Sequence, residues 1–281
     1  MRRRVLYLGD TELTGAARYL AGSLTALRIP FDYVPSHYTL PSHSLKRAYR
    51  LYVISDYPKR HLSTEQMREL VHHVRDGSSL LMIGGWDSFH GVGGQYHRSP
   101  IEAALPVICS RHDDRQQGAQ TYRITKASRS RLFTSLDFST APGLCGYNRT
   151  RCKPHAREIL SVETLAFHRA THRYRVERRD PLLVFGASGN GTVAALTTDL
   201  APHWAGGLVD WGSRRIRIRT RSGIDVEIGH RYLQFIRQLM TALGLDRSRR
   251  NQPYSLKAFK AAARRRWKLE ARSRNDQLKP S

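Results

Sequence analysis

Short, unbroken apolar runs alternate in this chain with segments of helical spacing, and that alternation admits few architectures. VLYLG (Val5–Gly9) precedes residues 11–29, where Leu13, Ala16, Ala17, Leu20, Leu24 and Leu27 recur at helical spacing. Phe31–Val34 is a second run, and RLYVISDYP (residues 50–58) a third, stopped by Asp56 and Pro58. Ser63 then opens TEQMRELVHHVRDG, with Gln66 completing a capping box and Gly77 marking the helix end. Residues 80–83 form a fourth run. Runs this short and continuous suit strands buried on both faces, and their alternation with helices builds a parallel sheet flanked by helices. The expected fold is therefore α/β, a doubly wound, mostly parallel sheet. Such sheets bind ligands beyond the carboxyl ends of their strands, so the loops after Gly9, Asp56, Gly85 and Asp199 should share one rim.

The middle of the chain is less regular. Residues 110–155 are rich in Arg, Ser, Asp and Gln, with one expected strand at 121–125, and read as an excursion from the sheet. Strand character returns at 158–162, at 181–187 and, after the turn SGNG, at 192–198. A second hairpin is expected where RIRIRT and DVEIG flank RSG. The last core helix is expected over 230–243, with Tyr232, Leu233, Ile236, Leu239, Met240 and Leu243 on one face and Gly244 as its stop. Residues 1–245 thus read as one domain and 246–281 as a basic tail, helical or partly disordered. In the tail Leu256, Phe259, Ala263 and Trp267 form an apolar stripe beside Lys257, Lys260, Arg264, Arg265, Arg266 and Lys268.

The formal charge is +24, and the tail with Leu245 carries twelve basic and three acidic residues, so most of the excess lies in the body. Arginine and lysine neutralise phosphates, which points to a polyanion partner. Yet 39 of the 47 basic residues are Arg, a skew that a GC-rich coding sequence produces without selection for binding, and both readings stay open. The tail can contact nucleic acid or an anionic surface non-specifically, or dock on its own domain. No helix-turn-helix or RNA-recognition signature supports sequence-specific readout. No apolar run approaches the roughly 18–20 residues of a membrane span. MRRRVLYLGD has too short an apolar stretch for a signal peptide, so a cytoplasmic protein is expected. Cys109, Cys145 and Cys152 form neither an even set nor a CxxC pair, which fits a reducing compartment. Cys145, Cys152 and His155 lack a fourth partner at zinc spacing, and neither a metal nor a cofactor is expected.

LLMIGGWDSFHGVGG, residues 80–94, ends a buried-looking strand on two glycines, where an α/β enzyme places its nucleophile. Three blocks, GGWDSFHGVGGQYHRSPIEAALPV (84–107), TTDLAPHWAGGLVDWG (197–212) and EIGHRYLQFIRQLM (227–240), together resemble the class I glutamine amidotransferase-like family, in its stand-alone bacterial form. The resemblance covers most of residues 1–245 and implies a flavodoxin-like, three-layer α/β fold. It also implies a Cys, His and Glu triad that releases ammonia from glutamine, with the Cys on a G-x-C-x-G turn. The comparable turn here is Gly84, Gly85, Trp86, Asp87 and Ser88, without a thiol, and His203 stands between Pro202 and Trp204 instead of in His-Pro-Glu. Ser88 is the candidate replacement nucleophile and His203 the candidate base. Gly85, Trp86, Asp87, Asp199 and Trp204 are candidates for binding a small polar ligand or a protein partner, with buried packing the plainer role for the indoles. The expected function is an amidotransferase-like protein without glutaminase activity, set against an active amidotransferase or hydrolase subunit with an unusual nucleophile and an adaptor binding nucleic acid or anionic surfaces through the tail.

Overall fold

The computed structural model describes residues 4–127, 130, 132–220 and 223–245, with backbone alone at 119 and 120. The basic tail, with Lys257, Lys260, Arg264, Arg265, Arg266 and Lys268, lies outside the described residues.

The chain begins with β1 (Val5–Gly9), α1 (Arg18–Ala26), β2 (Phe31–Val34), β3 (Leu51–Ser55), α2 (Thr64–Arg75) and β4 (Ser79–Ile83). β1, β3 and β4 are buried at every position, as their unbroken apolar runs require. α2 opens on the reciprocal hydrogen bonds of Ser63 and Gln66. α1 is shorter than its sequence period, because residues 13–17 form turns and Arg28 enters the left-handed region (φ 55°). Next come α3 (Pro100–Ala104), β5 (Val107–Ile108), β6 (Arg115–Lys126), β7 (Leu144–Asn148), β8 (Arg151–Cys152), β9 (Arg157–His168), β10 (Arg173–Ser188) and β11 (Gly191–Leu196). The described chain closes with α4 (Pro202–Ala205), β12 (Arg215–Arg219), β13 (Asp225–Gly229) and α5 (His230–Ala242).

Among the described residues one sheet has nine strands, in the order β2-β1-β3-β4-β11-β10-β9-β6-β7. From β2 to β11 every pairing is parallel, and from β11 to β7 every pairing is antiparallel. The fold is mixed α/β and consistent with a flavodoxin-like arrangement, but the sheet is parallel in only one half. The cause is local. β10 and β11 are joined by Gly189 and Asn190 alone, a link too short to return a strand in parallel. Residues 110–155 correct a second expectation, for β6 and β7 extend the sheet at its far edge instead of leaving it. The strand expected at 121–125 lies within β6, while the pairing of β6 with β7 slips between Gln117 and Tyr122 and leaves the first half of β6 and β7 without a clean alternation.

Side-chain alternation divides the strands between two cores. Val5, Tyr7, Leu51, Val53, Leu81 and Ile83 join α1 and α5 residues such as Leu20, Leu24, Ile236 and Leu239 on one face. Leu6, Leu8, Tyr52, Ile54, Leu80 and Met82 join Met67, Leu70 and Ile101 of α2 and α3 on the other. Each fully buried Leu or Ile contributes about 1.5–3 kcal/mol relative to exposure, so both faces hold the strand ends in register. Among the described residues no helix is long and apolar enough to cross a membrane.

Candidate functional site

β1, β3 and β11 each deliver a carboxylate to the rim: Asp10 directly after β1, Asp56 directly after β3, and Asp199 three residues past β11. β1 and β3 are neighbours whose connections run to opposite sides, the kind of switch point at which open α/β sheets form a crevice. Asp10 and Asp56 both adopt positive φ, 51° and 49°, a conformation that Asp tolerates better than most residues.

Asp10 donates its backbone N–H to Ser55 O at 2.8 Å, and its carboxylate accepts the Tyr7 hydroxyl. Burial pushes this carboxyl up to about 6, against the lowering effect of hydrogen bonds from Tyr7 and Ser55. Asp56 is pushed up to about 7, first by burial and then by the charge of Asp10, while the backbone N–H groups of Asp87 and Trp86 partly offset both. Asp199 is raised well above the carboxylate range, mainly by burial, with Asp10 and Asp56 adding repulsion. It accepts the Ala205 N–H at 2.7 Å and the Trp204 N–H at 3.2 Å, and so caps α4, whose own N-cap Ala201 has no capping side chain. The three carboxyls, Asp10 and Asp199 buried and Asp56 partly exposed, all hold protons more tightly than free carboxyls, and a set that keeps protons can donate as well as accept hydrogen bonds. Among the described residues no group of His, Cys, Asp and Glu is arranged to hold a metal ion.

The turn after β4 closes over Asp56. Gly84 donates to Leu196 O and Thr198 O (2.8 and 3.1 Å), and a Cβ on it would collide with the Thr197 carbonyl. A Cβ on Gly85 would collide with the Asp56 carboxylate. The paired glycines therefore let the backbone pass between the end of β11 and Asp56. Asn148 fixes the turn from the other side. Its Oδ1 accepts the Gly85 N–H (2.9 Å), and its Nδ2 donates to Gly85 O (3.1 Å) and to Asp114 Oδ1 (2.7 Å). Asp114 also accepts the His90 and Gly91 N–H groups.

Of the residues singled out in the sequence, Gly85, Asp87 and Ser88 converge on Asp56. The Asp87 N–H donates to Asp56 Oδ1 at 2.5 Å, and the Asp56 N–H donates to Ser88 Oγ at 2.8 Å. Ser88 is fully buried. Trp86 is 49% exposed beneath the Arg115 guanidinium, 4.4 Å from its ring, and Arg115 forks onto Asp113. Trp204 is buried; its Nε1 donates to Gln117 Oε1 at 2.9 Å, and its ring covers Gly146, where a Cβ would lie 2.6 Å from it. His203 is exposed on the single turn of α4, and no hydrogen bond joins it to Ser88. Asp199 and Trp204 thus form one group, Gly85, Asp87 and Ser88 another, and the charges of Asp10 and Asp56 link the two.

Sequence reasoning missed Asp10, Asp56, Asp114 and Asn148 as site residues. A signal for two of them was present: LGD, ISD and TTD end three apolar runs with the same small-residue–Asp pattern.

The model of the family described as "Putative glutamine amidotransferase" matches residues 10–217. Cytoplasmic Protein STM1381 from Salmonella typhimurium LT2 is similar in structure, with a TM-score of 0.67 and 21% identity over 85% of this chain and 99% of that one. Cytoplasmic Protein STM3548 from Salmonella typhimurium is similar at a TM-score of 0.65 and 21% identity, over 85% of this chain and 98% of that one. At this identity the likeness is one of fold. No curated protein matches the chain by sequence. With three quarters of its length matched by that model, and with the turn, rim and sheet described above, the chain belongs to the putative glutamine amidotransferase family.

Proposed function

We propose that this chain is an amidotransferase-fold protein without glutaminase activity, whose rim binds a small polar ligand or a protein partner. The observation that carries the reading is the use of the turn itself. Its Trp86 and Asp87 N–H groups are already given to the Asp56 carboxylate, and the Ser88 hydroxyl already accepts the Asp56 N–H. Acyl transfer needs a nucleophile beside a base and free donors for the oxyanion. Here a side chain of the protein occupies donors at the turn, and the buried hydroxyl makes no hydrogen bond with the exposed His203. What remains open to a ligand is the exposed Trp86 beneath Arg115, the half-buried Asp87 and the exposed His203, an indole face, a cation, a carboxylate and an imidazole. Residues 1–245 make up this binding domain in the proposal, acting in the cytoplasm, with 246–281 as an appended tail.

The test is ammonia release from glutamine by the purified full chain. The expected result is no release above the blank. Saturable release that disappears in Ser88→Ala or His203→Ala would overturn the reading in favour of a hydrolase with a serine nucleophile.

A further inference from the structure

β9 and β10 run well past the rest of the sheet. β6 pairs with β9 only as far as Arg123 opposite Glu163, and β11 pairs with β10 only from Leu183 onward. Beyond those points the two strands continue as a ribbon, from Thr164 opposite Arg178 to His168 opposite Arg173, turning through Arg169–Thr171 and a left-handed His172. A two-stranded ribbon in water is marginal without cover. Its root is held firmly, because buried Glu163 takes a fork from Arg123 (2.6 Å) and another from Arg179.

The register sorts the ribbon into two faces. Phe167 stands opposite Tyr174 and Leu165 opposite Val176, so these four share one face. Phe167, Tyr174 and Val176 are 50%, 71% and 45% exposed, and the two rings lie 5.3 Å apart. His168 opposite Arg173 and Ala166 opposite Arg175 share the other face. Among the described residues Arg169, Arg173 and Arg175 meet no carboxylate, whereas Arg178 and Arg179 are committed to Asp180 and Glu163. Exposed rings backed by unpaired guanidiniums are the two elements that hold unpaired nucleotides: bases stack on the rings and phosphates meet the cations.

We propose that this ribbon is a binding surface for single-stranded nucleic acid, distinct from the rim. A single strand is the occupant that satisfies both faces, since a flexible backbone can cross the ribbon edge while its bases stay on the aromatic side. A duplex keeps its bases paired and leaves Phe167 and Tyr174 uncovered. An anionic bilayer that received the apolar face would leave the arginine face turned away from its headgroups. A second copy would bring together two chains that each carry +24.

The experiment is fluorescence anisotropy on the full chain with a labelled thymidine oligonucleotide of about twenty residues and with its duplex. The variants are Phe167→Ala/Tyr174→Ala and Arg169→Ala/Arg173→Ala/Arg175→Ala. Both keep residues 246–281, so any loss reports on the ribbon, and thermal melts followed by circular dichroism confirm that they fold. The aromatic variant is expected to bind the single strand about tenfold or more weakly. The arginine variant is expected to flatten the slope of log affinity against log salt by about two. Four results overturn the proposal: no binding of the oligonucleotide at low salt; unchanged affinity in both variants; duplex bound as tightly as single strand with the aromatic variant unaffected; or loss of self-association or anionic-vesicle binding in the variants without any oligonucleotide binding.

Discussion

Two sets of buried or partly buried acids in this protein meet opposite fates. In the antiparallel half, Glu163 lies between the guanidiniums of Arg123 and Arg179, and Asp180 meets Arg178 and Arg149. Burial acts to raise Glu163, but the two arginines outweigh it and hold its carboxyl below the usual range. In the parallel half, Asp10, Asp56 and Asp199 are satisfied by hydroxyls and backbone N–H groups, and all three are raised. A chain with 39 arginines has placed none in an ion pair with the rim carboxylates among the described residues. The contrast separates acids that clamp strands from acids that leave a polar rim with labile protons. It also explains why high net charge alone says little about a site.

The strongest way to break the comparison is to turn the clamp into a rim. Arg123→Ala/Arg179→Ala leaves Glu163 buried and unpaired and is expected to cost about 3–5 kcal/mol in urea unfolding. Glu163→Gln should cost much less, because both arginines are largely exposed and regain water; equal losses would show that packing, not charge, holds the ribbon root.

Next in size is the pH response of the rim. Asp56 titrates near 7 when folded and near the ordinary carboxylate value when unfolded. The folded chain therefore keeps a proton that the unfolded chain has lost, and the stability this contributes is full below about pH 4 and disappears as pH rises through about 7. Asp10, titrating near 6, acts in the same direction. Asp56→Asn should flatten the dependence, gaining on the parent by up to about 3 kcal/mol between pH 5 and pH 8. Urea midpoints at the two pH values check this, and a parent protein more stable at pH 8 than at pH 5 would contradict it.

Ser88→Ala should have a smaller effect, because it removes only the acceptor of the Asp56 N–H. A loss of about 1–3 kcal/mol is expected, and a chemical-shift change at the Asp56 amide would locate it. Smallest is Trp86→Ala, which removes an exposed ring from beneath Arg115; a change under about 1 kcal/mol is expected in thermal melts.

Much of the fold was legible where its signals are local. The runs at β1, β3 and β4, the Ser63 capping box, the β10–β11 turn and the apolar face of α5 all stood where spacing and turn chemistry placed them. The antiparallel edge was legible only in part, through residues 121–125 of β6 and 158–162 of β9. β6 pairs with β9 across about forty residues of sequence and slips against β7, so its alternation carries no clean period. The site divides in the same way. The paired glycines announced a sharp turn after β4, but nothing near Ser88 indicated that its hydroxyl would be spent on the backbone of Asp56, thirty-two positions earlier.

The sequence by itself determined the elements of the parallel half, the alternation that buries both faces of its strands, and the absence of a thiol after Gly84 and Gly85, since each depends on residues close together in the chain. Only the tertiary structure decided which half of the sheet is antiparallel, and that Asp10, Asp56 and Asp199 meet at one rim with no arginine or lysine ion-paired to them among the described residues. Pairing partners and the burial of a charge are set by what arrives from distant segments, and a carboxyl acquires its proton affinity from that surrounding, not from its neighbours in sequence.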